Sequence, residues 1–304
     1  MNAPAAPFAA RLEESMRARG SRVCLGIDPR ADTHPLMQEG APEPEALADR
    51  IVAFYRAMLA GAHDAIACVK PQSAFFEALG LPGARALAAV CDEARSHGLP
   101  IVLDAKRGDI GSTAEAYADA YLGDGPLRAD ALTVSPYLGI DTLEPFAVRA
   151  LRHGRGLFVL VTTSNAGASA LQDLVTEDGR RVYEHVADAV AALEARLAPG
   201  GRGRYGPFGA VVGATRPGRL AELRRRLPRS LLLVPGYGAQ GAGAEDVVAA
   251  FDEARFGAIV SSSRALVPSP AATDLDAVAR AAGVLATAMR DTIEAALERR
   301  VRAG

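Results

Sequence analysis

Short runs of apolar and β-branched residues recur along the chain and alternate with longer stretches whose apolar positions repeat at helical spacing. Eight runs stand out: RVCLGID ending at Asp28, AIACVKP through Lys70, PIVLDAK ending at Lys106, ALTVSPY through Tyr137, GLFVLVTTS ending at Ser164, FGAVVGAT ending at Thr215, LLLVPGYG ending at Gly238 and AIVSSSR ending at Arg264. They are spaced by about 34 residues, close to one strand-loop-helix unit. Between them, residues 43–61, 84–98, 112–122, 178–197 and 273–300 read as amphipathic helices. This alternation predicts a parallel sheet, and eight repeats predict a closed (β/α)8 barrel, for which about 250 residues is typical. An open doubly wound sheet carries fewer strands and a glycine-rich loop after the first, whereas here the first run ends in G-I-D-P-R. No stretch rich in Pro, Gly or Ser divides the chain, so residues 1–304 are read as one barrel domain, with 1–20 an N-terminal extension or helix. The interval between the fifth and sixth runs is the longest, and SNAGASALQDLVTEDG within it is expected to form an extra active-site loop.

In such a barrel the chemistry sits at the carboxyl ends of the strands, so the polar residues closing each run are the candidates. They are Asp28, Lys70, Asp104 with Lys106, Ser164, Gln240 just past the seventh run, and Arg264. Strand alternation places Asp104 and Lys106 on one face, and the next strand is about 4.8 Å away, within reach of Lys70. Asp109 follows three residues after Lys106. The expected result is an alternating cluster of Lys70, Asp104, Lys106 and Asp109, whose opposite signs keep every member ionised. The glycine-rich PGYGAQGAG segment, including Gly238, is expected to leave backbone N–H groups free for an anion. Gln240 adds a neutral donor and Arg264 a bidentate fork, and the loops after strands seven and eight are the usual phosphate grip of this fold.

Composition sharpens this reading. The chain has 304 residues, 49% hydrophobic and 23% charged, which excludes a disordered or fibrous protein. Its net charge of −2 provides no overall basic field for nucleic acid or anionic lipid, so any anion must be caught locally. Aromatics amount to only 5%, with no tryptophan, and offer no stacking stripe for a nucleic-acid strand. No apolar run approaches a membrane span, and the first residues lack an apolar core with a cleavage site, so the sequence is read as cytoplasmic. Cys24, Cys68 and Cys91 show no close pairing, and the first two are expected to be core thiols. Only two of the 34 basic residues are lysine, Lys70 and Lys106, and both close apolar runs. Where arginine serves as the general cation, two retained ammonium groups point to chemistry, because an amine can donate a proton and a guanidinium stays protonated.

The segments D-A-K-R-G-D-I-G (Asp104 to Gly111), C-V-K-P-Q-S-A-F-F-E, T-T-S-N-A-G, P-G-Y-G-A-Q-G and S-S-S-R resemble the orotidine 5′-phosphate decarboxylase family, in its longer bacterial branch. The resemblance runs from about Val23 to Arg264. It implies decarboxylation of orotidine 5′-phosphate to uridine 5′-phosphate in pyrimidine biosynthesis, with no metal or organic cofactor. By the same resemblance Lys106 protonates C6 of the pyrimidine, Asp104 crowds the departing carboxylate, and Lys70 holds the array near the ribose. It further implies a homodimer in which Asp109, Ile110 and Thr113 act across the interface. Asp28 is assigned to a ribose hydroxyl, Ser164 or its neighbour Asn165 to the pyrimidine, and Gly238, Gln240 and Arg264 to the phosphate. The eighth-strand motif S-S-S-R departs from many barrel phosphate sites, which have glycine before the arginine.

Two alternatives stand beside it. A metal-dependent sugar-phosphate decarboxylase or aldolase of the same superfamily shares D-x-K-x-x-D but places a carboxylate where this chain has Lys70. None of His34, His63, His97, His153 and His185 closes a strand run, so no metal site is expected. A non-catalytic phosphoribosyl-ligand sensor would keep the phosphate grip and have no need of the charge array.

Overall fold

The computed structural model describes residues 6–38, 40, 43–199, 203–214, 216–238 and 241–303. All eight expected strands are present: β1 (Val23–Ile27), β2 (Cys68–Pro71), β3 (Val102–Arg107), β4 (Ala131–Val134), β5 (Gly156–Thr162), β6 (Phe208–Val212), β7 (Leu232–Pro235) and β8 (Ala258–Ser262). They form one parallel sheet in the order β2-β1-β8-β7-β6-β5-β4-β3. Isolated parallel bridges Val69↔Ile101 and Gln72↔Asp104 join its two ends, closing a (β/α)8 barrel. The expected helices appear as α2 (Pro44–Ala62), α3 (Gly80–Ser96), α4 (Gly111–Leu122), α5 (Val182–Leu197) and α6 (Leu275–Ala303). The fourth run stops as a strand at Val134, short of Tyr137, because Pro136 has no N–H for the ladder and Tyr137 is exposed. Thr215, expected to end the sixth run, lies outside the described residues.

Strand alternation sorts the apolar side chains into two cores. Val23, Leu25 and Ile27 of β1 face the surrounding helices, together with Leu132 and Val134 of β4. Cys24, Cys68, Val102, Ala131 and Phe158 face the barrel axis, where they meet the first helix, α1 (Phe8–Arg19). That helix closes the barrel floor. Phe8 packs edge-on against Phe158 with centroids 6.0 Å apart, and a Cβ on Gly156 would lie 2.4 Å from the Phe8 ring. The three cysteines are free and buried, as expected for Cys24 and Cys68.

The same alternation sets the height of the polar layer. Cys24 pairs in register with Cys68, and Gly26 pairs with Lys70 two residues on. Lys70, Asp104 and Thr133 each stand one inward-facing position above an apolar residue, namely Cys68, Val102 and Ala131. A dry floor therefore lies directly beneath the charged groups. Phe8→Ala should lower unfolding free energy by about 3–5 kcal/mol, the usual cost of emptying a filled aromatic site. Guanidinium unfolding checks this, and a loss below about 1 kcal/mol would contradict the floor-plug role.

Candidate active site

Asp104 is held between two ammonium groups. Lys70 Nζ donates to its Oδ2 at 2.8 Å and Lys106 Nζ to its Oδ1 at 2.5 Å, while the Thr133 hydroxyl donates to Oδ1 at 3.1 Å. The side chains of Lys70 and Asp104 are only 7% and 10% exposed, whereas that of Lys106 is 45% exposed. Burial disfavours the charged carboxylate, but the charges and hydrogen bonds of Lys70 and Lys106 outweigh it and hold the Asp104 carboxyl well below the usual range. Burial likewise works against the Lys70 ammonium, yet Asp104 and Asp28 raise its pKa above the ordinary lysine value. Unit charges about 4 Å apart attract by about 4 kcal/mol at an effective dielectric near 20, a scale on which two ammonium groups offset the burial of one carboxylate. The inner lysine secures the carboxylate and the outer one presents a cation to the barrel mouth.

Plain strand alternation does not produce this geometry. β3 pairs Leu103 with Leu132 and then resumes at Arg107 with Val134, so Asp104, Ala105 and Lys106 bulge opposite Thr133 alone. Lys106 has φ +48°, one of two non-glycine residues with positive φ among those described. Such a conformation costs about 1–3 kcal/mol and persists only where its surroundings impose it. The backbone N–H groups of Ala105 and Lys106 both donate to Thr133 Oγ1, at 3.0 and 2.9 Å. Thr133 was not among the residues singled out from the sequence. Its signal was a polar residue at an inward position of the otherwise apolar strand A-L-T-V.

The four-charge cluster contracts to three within one chain. Asp109 makes no ion pair with a described residue; its Oδ1 accepts the N–H of Ile110 at 2.8 Å. After the bulge the chain turns at Gly108, where a Cβ would lie 3.0 Å from Ser135 O, and runs outward to α4. Asp109 is consequently half-exposed, Ile110 is 63% exposed, and Thr113 is exposed in the first turn of α4. Tyr137 and Leu138, on the loop after β4, are exposed too.

Asp28 and Arg264 line a cleft of about 640 Å³ between the ends of β1 and β8, together with Tyr55, Phe75 and Ser263. Asp28 Oδ1 is buried without a hydrogen-bond partner, and so is Ser262 Oγ at the end of β8. Burial, then the nearby Asp28 charge, push the Tyr55 phenol up in pKa. Arg264 is exposed and forms no ion pair with a described residue. The close approach of β8 to β1 depends on Gly26, whose Cβ would fall 2.0 Å from Ser263 Oγ. In the loop after β7, the expectation of free amides fails at two positions, because Gly238 N–H donates to Ala242 O and Gly241 N–H to Gly238 O. Gly238 instead supplies a positive φ of 74° and lets the loop lie against Ala265. Gln240 lies outside the described residues. After β5, Ser164 is half-buried beside Gly213 and Asn165 is exposed, accepting from the Thr163 hydroxyl at 2.6 Å. Gln172 ties that loop back by accepting from Thr163 N–H and donating to its hydroxyl. The expected extra loop is thus a short folded excursion that includes a helix at Ser169–Gln172.

The charge sandwich has a pH signature. A carboxyl depressed on folding contributes stability that is present above its unfolded pKa near 4 and lost as pH falls toward the folded value. Asp104→Asn strands a buried ammonium and should cost about 3–5 kcal/mol between pH 5 and 8, with the gap closing only below about pH 4. Denaturant unfolding across pH checks this, and a gap under about 1 kcal/mol, or one that closes above about pH 5, would contradict it.

Comparison with known proteins agrees with the geometry. The model of the family described as orotidine 5′-phosphate decarboxylase / HUMPS matches residues 21–282. An orotidine 5′-phosphate decarboxylase of Rhodopirellula baltica is 48% identical over 271 residues, covering 86% of this chain and 88% of that protein. One from Deinococcus radiodurans is 45% identical over 296 residues, covering 95% and 98%. Among solved structures, a putative orotidine 5′-phosphate decarboxylase from Streptomyces avermitilis superposes with a TM-score of 0.81 at 39% identity, covering 97% of this chain and 98% of that one. A Leishmania donovani OMP decarboxylase gives 0.76 at 33% identity, covering 96% and 99%. With the barrel, the lysine-aspartate-lysine sandwich and these matches in agreement, the chain belongs to the orotidine 5′-phosphate decarboxylase / HUMPS family.

Proposed function

We propose that this protein is an enzyme that decarboxylates orotidine 5′-phosphate to uridine 5′-phosphate in the making of pyrimidine nucleotides, as a cytoplasmic homodimer. The observation that carries the reading is Asp104 fixed between a buried and a half-exposed ammonium. Loss of the substrate carboxylate as carbon dioxide leaves an electron pair on C6 of the pyrimidine, with no adjacent carbonyl to accept it. A cation fixed beside C6 stabilises that pair as it develops, at no cost in reorganisation. Lys106 supplies the cation and then its proton, forming the C6–H bond; its half-exposed nitrogen regains a proton from water. Asp104 presents like charge to the substrate carboxylate and favours its departure, while Lys70 keeps Asp104 ionised and in place.

The position of the described residues and the family resemblance support the remaining roles. Asp28, with its unpartnered buried oxygen, takes a ribose hydroxyl. Arg264, free of ion pairs with described residues, takes the phosphate with Gln240 and the Gly238 loop. Ser164 or Asn165 contacts the pyrimidine. Phosphate binding far from C6 supplies energy that positions the reacting end. Asp109, Ile110 and Thr113 reach into the site of the second subunit; the exposed apolar side chains of Ile110, after β3, and of Tyr137 and Leu138, after β4, are suited to burial against another copy. A metal-dependent relative is disfavoured because the Lys70 ammonium would repel a divalent cation at that strand end.

Lys106→Ala should lower kcat by at least about 10³-fold and change affinity for uridine 5′-phosphate by less than about tenfold. Steady-state turnover and product titration measure both, and a kcat within about tenfold of the parent would reject the assigned role. Mixing inactive Lys106→Ala and Asp109→Asn subunits should restore about a quarter of the parent's activity, because half the dimers then carry one intact site. No recovery despite verified subunit exchange would reject the shared site.

A further inference from the structure

We infer that Thr133 is a positioning residue for the decarboxylation: its hydroxyl fixes the left-handed backbone of Lys106 and aims the Asp104 carboxylate, so that ammonium and carboxylate meet the substrate in one geometry. The inference rests on the function proposed above. A threonine hydroxyl has one proton to donate and two lone pairs to accept with. All three are committed here, to the N–H groups of Ala105 and Lys106 and to Asp104 Oδ1. With both lone pairs facing backbone donors, the hydroxyl proton has only the carboxylate to point at. The same Oδ1 receives the ammonium of Lys106. A closed ring results, running from Lys106 N to Thr133 Oγ1, on to Asp104 Oδ1, and back through Lys106 Nζ. Both ends of the proton-donating residue are thus referred to one hydroxyl.

Two further observations show why this point needs a fixed anchor. The bulge in β3 interrupts its ladder with β4 over residues 104–106, where Thr133 stands alone opposite them, while on the other side the bridge from Gln72 reaches Asp104. Lys106 at φ +48° is in a conformation a lysine does not adopt by preference, so its backbone relaxes once its N–H loses its acceptor. Thr133 is 1% exposed and sits above Ala131 on the barrel axis, below the mouth where substrate enters, so it acts through Asp104 and Lys106.

Thr133→Val keeps the side chain's shape and removes the hydroxyl, and Thr133→Ser keeps the hydroxyl and removes a methyl. The valine variant should lose about 10- to 100-fold in kcat, as expected for a misplacement of the order of an ångström at the reacting groups. Its KM and its affinity for uridine 5′-phosphate should stay within about threefold of the parent, and the serine variant should recover kcat to within about threefold. Thermal unfolding by circular dichroism accompanies each measurement; should the valine protein not fold, Thr133→Ala carries the same test. A valine kcat within about threefold of the parent, a serine variant as impaired as valine, or kcat and product affinity falling together would overturn the inference. The parent, assayed alongside, separates the two levels. No turnover by the parent sinks the proposed function, whereas a fully active valine variant beside an active parent sinks only the role of Thr133.

Discussion

A carboxylate buried above an apolar floor is tenable only if opposite charge neutralises it, and the architecture around Asp104 follows from that condition. Lys70 meets it from within the barrel and Lys106 from the mouth, each on a different oxygen. Removing the charge of Asp104 would leave the Lys70 ammonium in a poorly hydrated place, where burial alone drives an ionised group toward neutrality. The two ammonium groups therefore hold Asp104 ionised, and its carboxylate orients the Lys106 ammonium before any substrate arrives. Preorganisation of this kind does electrostatic work that water, which must reorient, does not.

The fold serves that condition at two levels. The α1 helix seals the floor with Phe8, Leu12 and Met16, excluding solvent from beneath the polar layer. Above it, β3 gives up its regular pairing with β4 at the residues whose side chains carry charge. A straight strand would space inward side chains two residues apart at fixed height; the bulge and the left-handed Lys106 instead bring the ammonium back onto a carboxylate only two positions earlier. Strain at this position is the structural counterpart of a site built for charge placement.

Much of this was legible in the sequence, for identifiable reasons. Eight strands could be read because parallel strands covered on both faces appear as short apolar runs between amphipathic helices. Lys70, Asp104 and Lys106 could be read because the polar end of an apolar run falls at the barrel mouth, and because lysine is otherwise absent from the chain. What escaped depends on register and turn geometry, which letters do not encode. The outward course of the chain after Gly108 separates Asp109 from the lysines, although only three positions part it from Lys106. The committed amides of Gly238 and Gly241 reflect a turn closed on itself, where composition alone suggested open donors. Thr133 was hidden because a threonine in a strand is ordinary by propensity, and its significance appears only once the bulge opposite it is seen.

In the proposed reaction the chain's own fixed charges, with no added metal, suffice to expel carbon dioxide from a pyrimidine nucleotide. The most direct test is to follow orotidine 5′-phosphate spectroscopically in buffer stripped of metal, with and without a strong chelator. Substrate absorbance should fall steadily at one rate in both conditions, with uridine 5′-phosphate as the product. Absence of turnover, or turnover that the chelator stops and a divalent cation restores, would contradict it.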